Sequence, residues 1–535
     1  MKIACAGLPA VMLAAVLFRA ASAAGNSCES LASLVLPDTT ITLAQPVAAG
    51  AFVLPATPGQ LTSGVPAPIT NATFPPPAGL KEVAAKDLPA FCRVVVSIKP
   101  SKDSDIKVEV WMPASGWNGK FMAVGNGGWA GAVSYPLMAA PLARGYATAS
   151  TDTGHEGATG DASFALGHPE KVIDFGYRAV HEMTVKAKAI VASYYDSSPK
   201  RSYWNGCSTG GKQGLKEAQR FPADFDGIVV GAPSNNWTHL LAQFIWVAQA
   251  MHKDEASYIP PSKYSVIHDA ALQACDARDG VKDGVLEDPT RCAFDPQVLE
   301  CNGADGPACL TTAQVKAARM VYGPATNPRT KQQIYPGLAP GSELGWAAQA
   351  GPQLGGIPNG HFKYVVFKDP NWDYRTLTFD SDIALADQID SGTISATDPN
   401  LKAFFAHGGK LLQYHGWSDN QISPLNSVNY YESVLNAMGG ASKTKDSYRL
   451  FMIPGMPHCR EDDRIPLGGN GLNSFDSISI LERWVEGKKT PDRITASRTV
   501  DGKIERTRPL CPYPLVAAYN GRGSTDDAAN FICKR

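Results

Sequence analysis

The sequence predicts an α/β fold in which a mostly parallel β-sheet carries helices on both faces and a large domain is inserted between two strands. Short apolar segments alternate with helical periodicity through the N-terminal half, and apolar segments return near residues 410 and 448 after a long irregular stretch. Such alternation is typical of parallel sheets. We therefore assign residues 24–236 and 397–535 to a main domain and residues 237–396 to an inserted domain.

Each element follows from a local pattern. Apolar runs predict strands at 106–113, 120–128, 145–152, 201–206, 226–233, 410–419 and 448–455. An amphipathic helix is predicted by the three- and four-residue steps between Ala179, Val180, Met183, Ala187, Ile190, Val191 and Tyr194. Further helices are predicted up to Arg220 and over 477–485. The insert is predicted to hold short helices joined by loops rich in proline and glycine.

Composition and the N-terminus limit the class of protein. The 535 residues include 49 basic and 50 acidic ones, which gives no electrostatic basis for binding nucleic acid or an anionic membrane. Residues 1–23 predict a secretory signal peptide, with an apolar run that ends in Ala21, Ser22 and Ala23. We expect cleavage after Ala23 and export to the periplasm or the medium. The sequence does not predict an oligomeric state.

Ten cysteines lie beyond the signal segment. An even number in an exported protein, without a C-x-x-C pair, predicts disulfides rather than metal ligands. Spacing does not fix the connectivity. The pairs that close short loops are the simplest predictions, namely Cys275 with Cys292, Cys301 with Cys309, and Cys511 with Cys533.

A G-x-S-x-G pattern at residues 206–210 marks the candidate nucleophile, Ser208. The pattern follows a predicted strand and opens a predicted helix, as the nucleophile elbow of an α/β-hydrolase fold requires. The alternative is a glycine-rich turn with a capping serine. We therefore predict an α/β-hydrolase fold in which the inserted domain forms a lid over this serine.

A serine nucleophile needs a base, and the base needs an acid that holds its tautomer. His458 follows the predicted strand at 448–455, and Asp419 follows the one at 410–419, in the chain order of this fold. The alternatives are that His415 is the base or that Asp419 caps a helix. Cys207 precedes the serine and Cys459 follows the histidine, so we predict a disulfide that holds the two groups together. The alternative is that each cysteine pairs elsewhere.

The residues GNGGWAG at 125–131, STDTGH at 150–155, GCSTGG at 206–211, HGWSDN at 415–420 and MPHC at 456–459 resemble the tannase and feruloyl esterase family of secreted α/β-hydrolases. The resemblance implies Ser208 as nucleophile, His458 as base and Asp419 as its orienting acid. It also implies a disulfide between Cys28 and Cys92. The implied activity is hydrolysis of small-molecule esters of aromatic acids, with feruloyl and other hydroxycinnamoyl esters favoured.

Several other functions stay open. Within the family these are a tannase acting on galloyl esters and a terephthalate monoester hydrolase, although the stretch between Ser342 and Val365 offers no arginine to bind a second carboxylate. Outside it are a serine peptidase, a thiol hydrolase using Cys207 and a non-catalytic, calcium-stabilised binding protein.

The oxyanion hole of this fold uses the N–H after the nucleophile and another from an earlier loop. We predict Thr209 and Gly128 for these roles, with Gly127 as the second choice for the loop. The alternative is an ordinary glycine turn. For the pocket wall, the aromatic candidates in the insert are Trp237, Trp346, Phe362 and Tyr364, and core packing is the favoured alternative for each.

A loop at residues 276–288 is rich in aspartate and glycine but does not have the spacing of an EF-hand. Similar loops in the resembled family bind calcium. The resemblance implies side-chain ligands from Asp276, Asp279 and Asp283 and carbonyl ligands from Val281 and Val285, in a structural rather than a catalytic role. A solvated acidic loop is the alternative. No organic cofactor is predicted.

Overall fold

The computed structural model describes residues 26–53, 83–459 and 470–535. The predicted signal peptide lies outside the described residues. The strands are β1 (Thr39–Val47), β2 (Phe91–Ile98), β3 (Ile106–Pro113), β4 (Lys120–Val124), β5 (Ala147–Thr151), β6 (Arg201–Cys207), β7 (Gly227–Gly231), β8 (Ala325–Thr326), β9 (Gln333–Tyr335), β10 (Lys410–Gly416), β11 (Tyr448–Ile453), β12 (Ile494–Val500), β13 (Lys503–Leu510), β14 (Val516–Tyr519) and β15 (Phe531–Lys534).

The α-helices are α1 (Tyr135–Ala143), α2 (Pro169–Ile173), α3 (Ala179–Tyr195), α4 (Thr209–Arg220), α5 (Trp237–Met251), α6 (Tyr264–Cys275), α7 (Thr312–Tyr322), α8 (Ala347–Ala350), α9 (Gly356–Gly360), α10 (Ser381–Asp390), α11 (Lys402–Ala406), α12 (Pro424–Ala437), α13 (Ala441–Thr444) and α14 (Ser477–Gly487). Every strand and helix that the sequence predicted in the main domain is present.

Nine strands form one sheet in the order β1-β2-β3-β5-β4-β6-β7-β10-β11. The pairs from β5 to β11 are parallel, whereas β1, β2, β3 and β5 pair antiparallel at one side. The prediction of a mostly parallel sheet is therefore confirmed. Because β6, β10 and β11 run in the same direction, the loops that follow them meet at one edge of the sheet.

Apolar side chains cover both faces of this sheet. Val230 of β7 packs with Leu215 of α4 and the buried face of α3, while its neighbour Val229 packs on the other side with Leu481 and Trp484 of α14. Successive strand residues point to opposite faces, so a strand buried on both faces is apolar at every position. This explains why β7 is an uninterrupted apolar run in the sequence.

The segment between β7 and β10 contains α5 to α11 and has apolar clusters of its own. One cluster, which includes Ile267, Val315 and Trp346, is made by this segment alone. The other joins Trp237 and Phe362 to residues of the 129–175 region of the main domain. Across the described ranges, no helix is long and apolar enough to cross a membrane.

Candidate active site

Ser208 lies on a sharp turn between β6 and α4. Its backbone has φ 61° and ψ −122°, a left-handed conformation that is costly for a residue other than glycine. Three backbone hydrogen bonds hold the turn: Ser208 N–H donates to Gly231, and the Ser208 carbonyl accepts from Ser234 and Lys212. A Cβ atom at Gly206 would lie 2.5 Å from the Gly210 backbone, which explains the first glycine of the motif.

A disulfide between Cys207 and Cys459 links this turn to the loop after β11, with the two Cα atoms 5.9 Å apart. The bond joins positions 252 residues apart in the chain. The other disulfides are Cys28–Cys92, Cys275–Cys292, Cys301–Cys309 and Cys511–Cys533. These are the pairs that the sequence and its resemblance indicated.

Asp419 and His458 form a buried pair at the same sheet edge. His458 Nδ1 donates to Asp419 Oδ2 over 2.7 Å, and the backbone N–H groups of Gln421 and Ile422 donate to Oδ1 over 2.8 and 2.9 Å. Burial alone would raise the pKa of Asp419, but His458 and His415 together hold it below its usual range. The carboxylate is therefore ionised at neutral pH and keeps the proton of His458 on Nδ1.

The remaining nitrogen of His458, Nε2, is buried and has no hydrogen-bond partner among the described residues. Ser208 Oγ and Nε2 are therefore not hydrogen-bonded to each other, although the disulfide joins the residues beside them. Catalytic hydrogen bonds in unliganded enzymes are often long and tighten when substrate binds. An unprotonated Nε2 is the form that can accept a proton from a serine hydroxyl.

His415 does not occupy the position of a base. It is completely buried, and its Nε2 lies 3.0 Å from Asp419 Oδ2 and 3.1 Å from the Ile422 carbonyl. Its Nδ1 lies 2.7 Å from Ser427 Oγ. Both ring nitrogens are thus engaged by groups other than Ser208.

The glycine loop after β4 packs against the start of α4. Thr209 Oγ1 donates to the Gly128 carbonyl over 2.7 Å, and Gly210 N–H donates to the Asn126 carbonyl over 2.8 Å. Gly128 has φ 52°, and a Cβ there would lie 2.3 Å from the Thr159 carbonyl oxygen. Thr209 is the first residue of α4, where a backbone N–H has no partner inside the helix. Gly127 is half-buried beside them.

Asn126 is a residue of this loop whose role the sequence analysis missed. Its side chain donates to the Thr151 carbonyl over 2.8 Å and accepts from Gln213 Nε2 over 3.1 Å. The amide thereby ties the glycine loop to both β5 and α4. An asparagine inside a glycine run was the available signal, because such a loop needs side-chain partners to hold one conformation.

The aromatic candidates for the pocket wall are mostly core residues. Trp346 and Phe362 are fully buried, and Trp346 Nε1 donates to Ser342 Oγ inside the insert. Trp237 is also buried, with its ring 4.9 Å from that of Trp129 next to the glycine loop. Core packing accounts for these three rings. Tyr364 is half-buried at the edge of the cluster that contains Trp237 and Phe362.

The acidic loop of the insert meets the hairpins β12–β13 and β14–β15. Asp279, Val281, Asp283, Val285 and Glu287 line a small cavity there. Burial, with the other carboxylates, raises the pKa of Asp279 to about 6 and that of Glu287 to about 8. Asp283 Oδ1 is buried without a hydrogen-bond partner among the described residues. Crowded, desolvated carboxylate oxygens suit a hard cation such as calcium.

Two carboxylates of this loop already have partners within the protein, in addition to any cation they would bind. Asp283 Oδ2 already pairs with Arg508 over 2.5 Å and with Arg506 over 3.3 Å. Asp276 accepts the backbone N–H groups of Asp283 and Gly284, so its carboxylate also shapes the loop.

The parallel sheet and the serine elbow at its edge define the α/β-hydrolase class. The sequence profile described as tannase and feruloyl esterase matches residues 92–534. An uncharacterized esterase of Xanthomonas campestris is 37% identical over 96% of this chain and 92% of its own length. A probable feruloyl esterase B-1 of Aspergillus oryzae is 36% identical over 83% of this chain and 84% of its own.

Solved structures agree with these sequence relatives. The crystal structure of feruloyl esterase B from Aspergillus oryzae superposes with a TM-score of 0.83 at 32% identity, covering 95% of this chain and 99% of that one. Tannin acyl hydrolase from Aspergillus niger superposes with a TM-score of 0.76 at 22% identity, covering 94% and 93%, which shows the shared fold. The chain belongs to the tannase and feruloyl esterase family and is a carboxylic ester hydrolase of small-molecule esters.

Proposed function

We propose that the protein is an exported serine esterase that hydrolyses esters of aromatic carboxylic acids, with feruloyl and other hydroxycinnamoyl esters as its preferred class. One observation carries the proposal: the Asp419–His458 pair is joined by a disulfide to the strained turn that presents Ser208. Names of the relatives, among them the probable feruloyl esterase B-1, support the choice of acyl group. The five disulfides support export, since such bonds persist in oxidising compartments.

The first half-reaction forms an acyl-enzyme. His458 Nε2 takes the proton of Ser208 as Oγ bonds to the ester carbonyl carbon, and the carbonyl oxygen becomes an oxyanion. In our proposal the N–H groups of Thr209 and Gly128 stabilise that oxyanion. The bond from carbon to the alkoxy oxygen then breaks, and His458 returns its proton to the departing alcohol. Asp419 stabilises the imidazolium throughout without taking the proton.

The second half-reaction frees the acid. A water molecule gives one proton to His458 Nε2 while its oxygen bonds to the acyl carbon, and the oxyanion forms again. The bond to Ser208 Oγ breaks as Oγ recovers a proton from His458. The aromatic acid leaves and the enzyme is regenerated.

We further propose that the acidic loop holds a structural calcium ion. Asp276, Asp279 and Asp283 would supply carboxylate oxygens, and Val281 and Val285 would supply carbonyl oxygens. The cavity lined by Asp279, Val281, Asp283 and Val285 and the unpartnered Oδ1 of Asp283 support this assignment. A bound cation would relieve carboxylate repulsion and stabilise the packing of the loop against the hairpins β12–β13 and β14–β15.

A panel of esters tests the activity. Purified protein would be assayed on methyl ferulate, chlorogenate, a galloyl ester and a terephthalate monoester, with Ser208→Ala as the inactive form. The matched control is Ser234→Ala, because Ser234 is a buried serine near the elbow whose Oγ has no hydrogen-bond partner among the described residues.

We expect hydrolysis of the feruloyl esters, loss of activity in Ser208→Ala and full activity in the control. Preference for the galloyl ester would establish the tannase alternative. Equal activity of Ser208→Ala and the parent protein would exclude the serine mechanism.

A further inference from the structure

A second histidine shares the carboxylate of the catalytic pair. Asp419 Oδ2 accepts from His458 Nδ1 over 2.7 Å and lies 3.0 Å from Nε2 of His415, which is the last-but-one residue of β10. Both Asp419 and His415 have no solvent exposure. The triad mechanism described above uses only the first of these contacts.

The surroundings of His415 define where its proton lies. Nε2 faces Asp419 Oδ2 and the Ile422 carbonyl, which are both acceptors, so Nε2 carries the hydrogen. Nδ1 faces Ser427 Oγ over 2.7 Å. That oxygen already accepts from Gln413 Nε2 over 2.7 Å, so its own hydrogen is available for Nδ1. In this arrangement Nδ1 of His415 accepts from Ser427 and Nε2 donates to Asp419.

The chain of donors extends one residue further. The Tyr448 hydroxyl donates to Gln413 Oε1, and burial raises the pKa of this phenol, which keeps it protonated. Tyr448, Gln413, Ser427 and His415 therefore form a buried line of hydrogen bonds in which every donor points toward Asp419. Such lines are cooperative, because each bond polarises the next.

We propose that His415 is a positioning residue that fixes the orientation and the basicity of Asp419, the carboxylate that accepts from His458. Hydrogen bonds from Ser427, Gln413 and Tyr448 hold His415 in place. Asp419 receives two backbone N–H bonds on Oδ1 and two imidazole bonds on Oδ2, so its carboxylate cannot rotate away from His458. The proposal rests on the proposed serine mechanism.

Loss of the His415 N–H should shift the pH dependence of kcat/KM in a definite direction. The titratable groups that face Asp419 are His458, His415 and the buried phenol of Tyr335. Without the N–H of His415, the Asp419 carboxylate is less stabilised and attracts the His458 proton more strongly. The imidazolium then persists to higher pH, so the acid limb of the kcat/KM profile moves upward.

The experiment compares His415→Phe, which removes the donor, with His415→Gln, which retains an N–H. We expect kcat of His415→Phe on an ester accepted by the parent enzyme to fall between roughly 10-fold and 100-fold, with KM nearly unchanged. Its acid limb moves to higher pH, and His415→Gln recovers part of both effects. Ser427→Ala shifts the profile in the same direction. Ser423→Ala does not, because Ser423 is a buried serine whose Oγ donates to the Gly337 carbonyl.

Proton NMR of the His458 Nδ1–H resonance separates a positioning role of His415 from a merely structural one. Its titration midpoint should move with the acid limb. A parent-like midpoint and pH profile in folded His415→Phe, or in folded Ser427→Ala if the first variant does not fold, would overturn the proposal. Failure of the proposed function is distinguishable, because the parent protein itself would then hydrolyse no ester or Ser208→Ala would remain active.

Discussion

Removing the disulfide between Cys207 and Cys459 tests whether this bond aligns the catalytic groups. In the double variant Cys207→Ala/Cys459→Ala, nothing covalent holds the two Cα atoms at their present 5.9 Å. A displacement of about 1 Å between reacting groups costs on the order of 100-fold in rate, so we expect kcat to fall by that amount. KM should change much less, because the insert is untouched.

The stability change follows from the length of chain that each bond closes. The chain-entropy relation gives about 5.5 kcal/mol for the 252-residue separation and about 2.5 kcal/mol for the 8-residue separation of Cys301 and Cys309. These are upper values, since the unfolded chain retains the other four disulfides. The short loop therefore supplies a control variant, Cys301→Ala/Cys309→Ala, that is destabilised less.

The assay is steady-state hydrolysis of methyl ferulate at 25 °C, beside urea denaturation followed by circular dichroism. The control variant should keep its kcat while losing some stability. The reasoning fails if the folded Cys207→Ala/Cys459→Ala variant keeps the kcat of the parent enzyme. The bond would then stabilise the protein without aligning the serine and the histidine.

Three further outcomes are expected. Burial raises the pKa of Asp152 to about 8, so the native state keeps a proton that the unfolded chain has lost. This group therefore lowers stability by up to about 1.4 kcal/mol per pH unit from pH 4 to 8. Asp152→Asn should remove that contribution, so urea midpoints should fall less steeply across this range than in the parent protein. Chelating calcium should lower the free energy of unfolding by about 2.7 kcal/mol if the ion was present at 100 times its Kd. The kcat at 25 °C should stay unchanged. An unchanged melting temperature after chelation would contradict a structural ion. Gly128→Ala should reduce both kcat and stability, because the new Cβ would lie 2.3 Å from the Thr159 carbonyl oxygen. The control Gly160→Ala should match the parent enzyme in both measurements, because there is open space where its Cβ would lie.

The central sheet could be predicted because its strands are buried on both faces. Strands β1, β2, β8 and β9 and the hairpins β12–β13 and β14–β15 were not predicted. β2 is apolar and mostly buried, so its pattern was present in the sequence and was missed. β1 alternates between half-buried and exposed positions and contains Pro46, which an edge strand tolerates, and the hairpins β12–β13 and β14–β15 lie outside the main sheet. Their side chains cover only part of the core, so no long apolar run marks them.

Helix α4 shows a second limit of sequence patterns. Lys212, Gln213 and Glu217 are fully buried there, although charged and amide residues usually face solvent. The helix is buried because the nucleophile turn sets it in the middle of the protein against β6 and β7. Topology, not composition, decides this burial. The same holds for His415, whose contact with Asp419 depends on the turn between residues 416 and 419.

The sheet topology separates the catalytic groups from the inserted segment. Parallel pairing aligns Cys207 with Gly231 and Gly231 with Tyr414, and the disulfide then closes the site from the side of β11. The whole insert leaves the sheet after β7 and returns at β10, between two strands that are themselves hydrogen-bonded neighbours. Changes in its length or sequence therefore need not move the serine relative to the histidine.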